Sequence, residues 1–259
     1  MDQTLAGRVV VVTGSAGGIG RVIAERAAAA GAAVVVNSRR AERLDAVTGA
    51  LKALGGPYLA VAANVRDPDE VERLVQETVR AFGRIDVWVN NAAGVFFQPA
   101  EQISPNGWRA IIDTNLTAPF LCARAVFPVM RAQGKGRIIN IGSVAADGPH
   151  PWAAHYGAAK AGLANLTATL AYEWAPYGIQ VNCVEPGPIL TEASRFQDPR
   201  IAESVRQLLP GGQLGRPEDV AEVVLFLASM AGTYLTGETI RVDGCLRRPL
   251  PPPDRAGAP

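Results

Sequence analysis

The stretch "HYGAAKAGLANL" sets Tyr156 four residues before Lys160 in a run of small, mostly apolar residues. On a helix, positions i and i+4 share a face one turn apart, so a phenol and an ammonium would stand side by side. An unperturbed tyrosine ionises near pH ~10, and a neighbouring positive charge favours the phenolate. Such a pair can trade a proton with a reacting oxygen. Ser143, at the end of "RIINIGS", adds a hydroxyl donor for the same oxygen, and Asn115 in "DTNL" adds an amide. Any one of these residues could serve packing or a helix cap. The four in this order are the candidate catalytic set, with Asn115 expected to fix a water linking Lys160 to solvent.

These residues need elements that bring them together. Apolar runs with little alternation occur at 9–12, 33–36, 58–62, 85–89, 137–141, 179–184 and 239–242, as in strands covered on both faces. Between them, helical patterns span about 19–30, 41–54, 68–82, 106–132, 153–175 and 217–230. Gly31, Gly83, Gly134, Pro176 and Gly232 supply stop signals. This alternation predicts an α/β fold: a three-layer, doubly wound arrangement around a parallel sheet. Ser143 then ends the fifth strand, on the side where ligands of such sheets bind. Residues 186–216 form a long Pro- and Gly-rich loop with one short helix near 199–209. The tail "RRPLPPPDRAGAP" is expected to be extended or disordered, which predicts one domain over 1–247 and a Pro-rich tail over 248–259.

"TGSAGGIG" joins the first strand to the first helix. Gly14, Gly18 and Gly20 would let a pyrophosphate approach the backbone and the helix N-terminus, with Ser15 and Ile19 beside it. The spacing is neither G-x-G-x-x-G nor a Walker A loop. The second strand ends "VVVNSRRAER": where a carboxylate would hold the ribose hydroxyls of NAD, Ser38, Arg39 and Arg40 follow instead. A guanidinium matches a 2′-phosphate in geometry and charge, so the expected cofactor is NADP(H), with Arg39 as main contact and NAD the lesser alternative. Beside a nicotinamide, Tyr156 would protonate the developing alkoxide and Lys160 would hold ribose hydroxyls.

Bulk properties limit the other readings. The 259 residues are 48% hydrophobic and carry a formal net charge of +1, with no block of like charges. That disfavours nucleic acid and membrane surfaces as partners. Cys122, Cys183 and Cys245 form neither a disulfide framework nor a zinc motif, and "RVVVVTGSAGGIG" is not a signal peptide. A cytoplasmic protein without a metal is expected.

"TGSAGGIG", "NNAAG" at 90–94, Asn115, Ser143, "YGAAK" at 156–160 and "PGPILT" at 186–191 together resemble the short-chain dehydrogenase/reductase family in its single-domain form, over about residues 5–245. The resemblance implies a Rossmann-type fold with a seven-stranded sheet, nicotinamide-dependent interconversion of a ketone and a secondary alcohol, and often a homotetramer (or a homodimer) joined by the fourth and fifth helices. It also implies cofactor contacts at Asn64, Val65, Asn91, Ala92, Pro186, Gly187, Ile189 and Thr191, and adenine-side support from Asn90. Three departures stand out: Ala93 precedes Gly94, as in some enoyl and dienoyl reductases; Asn64 replaces a common aspartate; Cys245 replaces a common glycine. The chain looks most like 3-oxoacyl-(acyl carrier protein) reductases and gluconate 5-dehydrogenase-like enzymes, the latter through "VVVNSRRAERL". A sugar-acid or polyol dehydrogenase is therefore the alternative within the family. A non-catalytic dinucleotide sensor on the same fold is the alternative outside it.

Phe96, Phe97, His150, Trp152, Leu190 and Phe196 are the candidate walls of the substrate pocket. His150 and His155 are expected at surface or capping positions, since Tyr156 already fills the acid–base role.

Overall fold

The computed structural model describes residues 4–229, 234–247 and 250. Seven strands form one parallel sheet in the order β3-β2-β1-β4-β5-β6-β7. They are β1 (Val9–Val12), β2 (Ala33–Ser38), β3 (Tyr58–Ala62), β4 (Val87–Asn90), β5 (Gly136–Ile141), β6 (Ile179–Pro186) and β7 (Thr239–Val242). Valine and isoleucine pack well on a pleated surface covered from both sides, and the four residues of β1 are all buried. The connection from β3 to β4 crosses over β1, so the strand order reverses between β1 and β4. A crevice opens there at the strands' C-terminal ends.

The helices are α1 (Gly18–Ala29), α2 (Asp45–Leu54), α3 (Pro68–Phe82), α4 (Pro105–Ile112), α5 (Ala118–Gln133), α6 (Ala154–Trp174), α7 (Pro199–Arg206) and α8 (Pro217–Ala228). One apolar core lies between the sheet and α1, α2 and α8; a second lies between the sheet and α3, α5 and α6. The stretch Pro105–Gln133 is long and apolar enough to cross a membrane by length and composition. Its Cys122, Val126 and Met130 belong to the second core.

One expectation needs revision and another holds. The helix expected over 106–132 is broken by a π-turn at Asp113–Thr117. There the Asn115 amide donates to the carbonyls of Ile111 and Gly94 at 2.9 and 2.8 Å, inserting a side chain into the helical ladder. The long 186–216 loop does contain a short helix, α7, capped by Asp198, and is also pinned by a parallel bridge between Ile189 and Gly215. The ends expected at Gly232 and residue 230, and the Pro-rich tail apart from Leu250, lie outside the described residues.

Candidate functional site

A cleft of about 790 Å3 occupies the crevice between β1 and β4. Its floor is built by hydrogen bonds that the glycine loop makes possible. Thr13 Oγ1 accepts from the backbone N–H groups of Asn91 and Ala92 at 3.0 and 3.1 Å, and the Asn91 amide donates to the carbonyls of Thr13 and Gly14. This staples the chain after β4 beneath the loop after β1. Gly14 (φ 63°) leaves no room for a side chain, since a Cβ there would sit 2.7 Å from Ala92 Cα. Gly18 (φ 55°) opens α1 with its free N–H groups at the cleft, the usual seat for a pyrophosphate. Gly14, Gly18, Ile19, Gly20, Asn91 and Ala92 all line the cleft.

Ser15 does not. It is fully buried; its hydroxyl donates to Val12 O and accepts from Asn37 N, both at 2.9 Å, and so locks β1 to β2. Asn90 is likewise turned inward, donating to Asn140 Oδ1 at 2.8 Å and accepting from Trp88 Nε1 at 2.9 Å. It supports the sheet rather than the adenine side of the cleft.

At the far end of the cleft stand Ser38 and Arg39, as expected, with Asn64 and Val65. Two further guanidiniums, Arg43 and Arg66, share that end. Arg43 was legible as the residue one helical turn beyond Arg39 in "RRAER"; Arg66 carried no signal of its own. Arg66 pairs with Asp113 at 3.7 Å, whereas among the described residues neither Arg39 nor Arg43 is in an ion pair. Asn64 Oδ1, expected among the cofactor contacts, accepts from the Arg66 backbone at 3.2 Å. Asn37 carries no signal of its own in the sequence. Its amide bridges the carbonyls of Val61 and Ala63 and its Oδ1 accepts from Gly14 N at 3.4 Å, tying three strand ends together beside the cleft.

At the other end, β5 delivers Ser143, and α6 delivers Tyr156 and Lys160. Ser143 stands beside Tyr156 and favours its ionised form as a hydrogen-bonding neighbour. Lys160 Nζ lies 5.6 Å from the centroid of the tyrosine ring and donates to Ile141 O at 2.7 Å. Burial moves both groups away from charge: it raises the phenol above its ordinary value and lowers the ammonium to about 8. The expectation that Lys160 pulls the phenol down is not met in this state. The opposing pull on Tyr156 comes from Ser143, because Nζ reaches past the ring to a strand carbonyl instead of the hydroxyl. Asn115 is fully buried in the π-turn and clamps the chain at Gly94.

Pro186, Gly187, Ile189 and Thr191 close the cleft from the loop after β6. A side chain on Gly187 would meet Asp243 Cα at 2.6 Å. Of the expected substrate walls, Phe96 and Phe196 line the cleft. Phe97 and His150 stand behind them, ring centroids 6.4 Å apart, with the Arg195 guanidinium 4.9 Å over Phe97 and 5.6 Å over Phe196. Trp152 sits in the left-handed region (φ 64°), and its carbonyl accepts from Gln98 N; Leu190 faces a different crevice, beside Arg21 and Glu25. His155, expected at the surface or as a cap, is fully buried. It lies edge-on to Phe96, with ring centroids 4.3 Å apart. Its Nδ1 does accept the Tyr156 N–H at 2.9 Å, a bond at the start of α6.

A parallel sheet that reverses its order beside a glycine loop, with a serine, a tyrosine and a lysine meeting in the same cleft, defines a class: the dinucleotide-fold oxidoreductases. A family model described as enoyl-(acyl carrier protein) reductase matches residues 14–246. The chain is 43% identical over 242 residues to a 3-oxoacyl-[acyl-carrier-protein] reductase of Synechocystis sp., covering 93% of this chain and 97% of that protein. It is 41% identical over 248 residues to 3beta-hydroxysteroid dehydrogenase 1 of Eggerthella lenta, covering 94% and 95%. Among solved structures, a 7alpha-hydroxysteroid dehydrogenase complexed with NADH and 7-oxo glycochenodeoxycholic acid superposes with a TM-score of 0.92 at 30% identity, over 96% of this chain and 98% of that one. A short-chain type dehydrogenase/reductase from Mycobacterium marinum gives 0.90 at 35%, over 95% and 97%. The chain belongs to the short-chain dehydrogenase/reductase family and is an oxidoreductase of that family.

Proposed function

We propose that this protein is an NADP(H)-dependent reductase that interconverts a ketone and a secondary alcohol, with a 3-oxoacyl thioester as first candidate substrate. The carrying observation is one cleft with Ser143, Tyr156 and Lys160 at one end and Arg39 and Arg43, outside any ion pair, at the other. The glycine cradle fits a dinucleotide, because its turns exclude side chains where a pyrophosphate would approach. When bound, the dinucleotide supplies or accepts the hydride. Tyr156 donates a proton to the alkoxide oxygen, and Ser143 donates a hydrogen bond to the same atom. Lys160 holds ribose hydroxyls and contributes positive charge. Asn115 acts through the Gly94 segment, holding one wall of the cleft. Arg39 and Arg43 engage a 2′-phosphate.

Residues 1–247 are taken as one catalytic domain of a cytoplasmic homotetramer. The relatives that act on hydroxysteroids support a steroid ketone as a second reading. A screen following NADPH absorbance with 3-oxoacyl thioesters, sugar acids, polyols and steroid ketones tests the substrate class. Arg39→Ala is expected to lower kcat/KM with NADPH about tenfold or more, the size of a lost charge-assisted contact, and to spare NADH. Equal losses with both cofactors would reject the phosphate assignment.

A further inference from the structure

The dinucleotide cleft lies at the C-terminal ends of the strands. A second cavity, of about 800 Å3, opens at the opposite edge of the sheet, where β1, β4, β5 and β6 begin. Arg8 directly precedes β1, Arg84 and Asp86 lie just before β4, Lys135 directly precedes β5, and Arg137 is the second residue of β5. All five line this cavity. Backbone bonds from Asp86 N to Val9 O at 3.0 Å and from Arg137 N to Asp86 O at 2.9 Å set the three strand starts side by side.

The cavity thus gathers four cations and one carboxylate, and that carboxylate is already engaged. Asp86 Oδ2 accepts from Val9 N at 2.9 Å and from Arg84 Nε at 2.8 Å, while Oδ1 accepts from Arg84 Nη2 at 2.6 Å. Among the described residues, Arg8, Lys135 and Arg137 form no ion pair. Arg8 Nη1 reaches only a carbonyl, Ala228 O at 3.2 Å. Arg137 Nε is buried and meets no acceptor among the described residues. Burial, and after it the charge of Arg8, lower Arg137 from its ordinary value.

A guanidinium nitrogen taken out of water without an acceptor costs free energy, and so does crowding like charges. An anion seated among these groups removes both costs. Phosphoryl oxygens match the guanidinium fork in geometry and charge. Four cations against one carboxylate call for several negative charges, and the volume suits a ligand of small-molecule size.

We propose that this cavity is a second anion site that takes linked phosphoryl groups, held by Arg8, Lys135 and Arg137 beside the Arg84–Asp86 pair. The shared chemistry is a polyphosphate, either free or as the tail of a nucleoside triphosphate. The six residues of β5 put about 20 Å between this site and the Ser143 end of the dinucleotide cleft, so the two sites do not overlap. The inference stands apart from the function proposed above.

The test is calorimetric titration of the intact chain with tripolyphosphate. The glycine cradle could also take phosphate, so the double variant Arg39→Ala with Arg43→Ala is the control, and binding should survive in it. Arg137→Gln and Arg8→Gln should each weaken binding about tenfold or more, the size of a lost charge-assisted contact. Lys135 is exposed, so Lys135→Gln keeps the test decisive should Arg137→Gln fold poorly; it should weaken binding about two- to fivefold. ATP is the second probe. Tighter binding of ATP than of tripolyphosphate assigns the nucleotide source, and the reverse assigns a free polyphosphate; either supports the site when Arg137→Gln weakens it. Absence of binding at millimolar probe, affinities indifferent to Arg8, Lys135 and Arg137, or a loss confined to the Arg39 and Arg43 double variant overturns the proposal. Equal affinity for single phosphate also overturns it, because a site for linked phosphoryl groups must prefer the longer anion.

Discussion

Two buried polar arrays lie side by side across β5 and α6, and they are handled in opposite ways. In the first, Trp88 Nε1 donates to Asn90 Oδ1, Asn90 donates to Asn140, Asn140 donates to Thr167, and Thr167 donates to Leu163 O, all between 2.8 and 2.9 Å. Its groups are neutral and nearly saturated. The second starts one residue further along β5 and two turns earlier on α6. It holds Lys160 with a single hydrogen bond, to a carbonyl, and Glu185 with no donor at all. Both arrays are at most 4% exposed, so burial does not distinguish them. A buried neutral amide costs little once paired, whereas a buried ionisable group with missing partners shifts its protonation instead. The first array fixes the sheet; the second leaves a buried amine and a buried carboxyl short of partners next to the cleft.

Substitutions can break that contrast. The largest expected effect is on turnover in the second array. Tyr156→Phe removes only the hydroxyl proposed to give the proton and should lower kcat about 10²–10⁴-fold, with dinucleotide affinity almost unchanged by fluorescence titration. Normal turnover in this variant would remove the tyrosine from the chemistry. Lys160→Met should lower kcat similarly, yet at pH 7 its melting temperature should hold or rise, because a buried ammonium lowered to about 8 is replaced by an apolar chain of similar length. A clear drop in melting temperature would instead class Lys160 with the saturated array.

The converse test lies one layer away. Asn140→Leu leaves the Asn90 Nδ2 only its long 3.4 Å bond to Pro119 O and should cost about 1–3 kcal/mol in denaturant unfolding, leaving kcat close to that of the intact protein. A kinetic defect larger than the stability defect would mean that the two arrays are coupled and the contrast is too sharp.

The sequence foretold these arrays unequally. Strand positions were readable because β-branched runs buried on both faces leave few alternatives, and all seven fall where the apolar runs predict. Tyr156 and Lys160 were readable because helix spacing alone puts them on one face. The direction in which Lys160 points was not: it depends on where Ile141 O ends up after β5 and β6 pair. Ser15 and Asn90 sit within recognisable motifs yet turn inward, since a motif fixes position along the chain and only packing decides which neighbour a side chain faces. The substrate walls were least legible. They come from loops, where residues 53 apart in sequence meet, as Phe97 and His150 do, and where Leu190 turns from its neighbour Ile189 towards another crevice. Glu185 gave no signal at all, because a single glutamate at a strand end becomes unusual only when its surroundings offer no donor.

The smallest effect sharpens the contrast most, since it isolates one proton. In the folded protein Glu185 is raised from 4.5 to about 7, so between those values the native state keeps a proton that the unfolded chain has lost. The native state is then favoured at low pH, and this share of stability disappears as pH rises through about 7. Glutamine cannot ionise and carries no such dependence. The melting temperature of Glu185→Gln relative to the intact protein should therefore climb from little or no difference at pH 5 to a plateau above pH 7. That plateau is bounded by about 3 kcal/mol, the shift converted at 1.36 kcal/mol per unit. A difference that is flat across this range would mean that Glu185 is already ionised at pH 5 and finds a cation when folded. Arg241 is the cation within reach, and Glu185 would then belong with the paired groups of the first array.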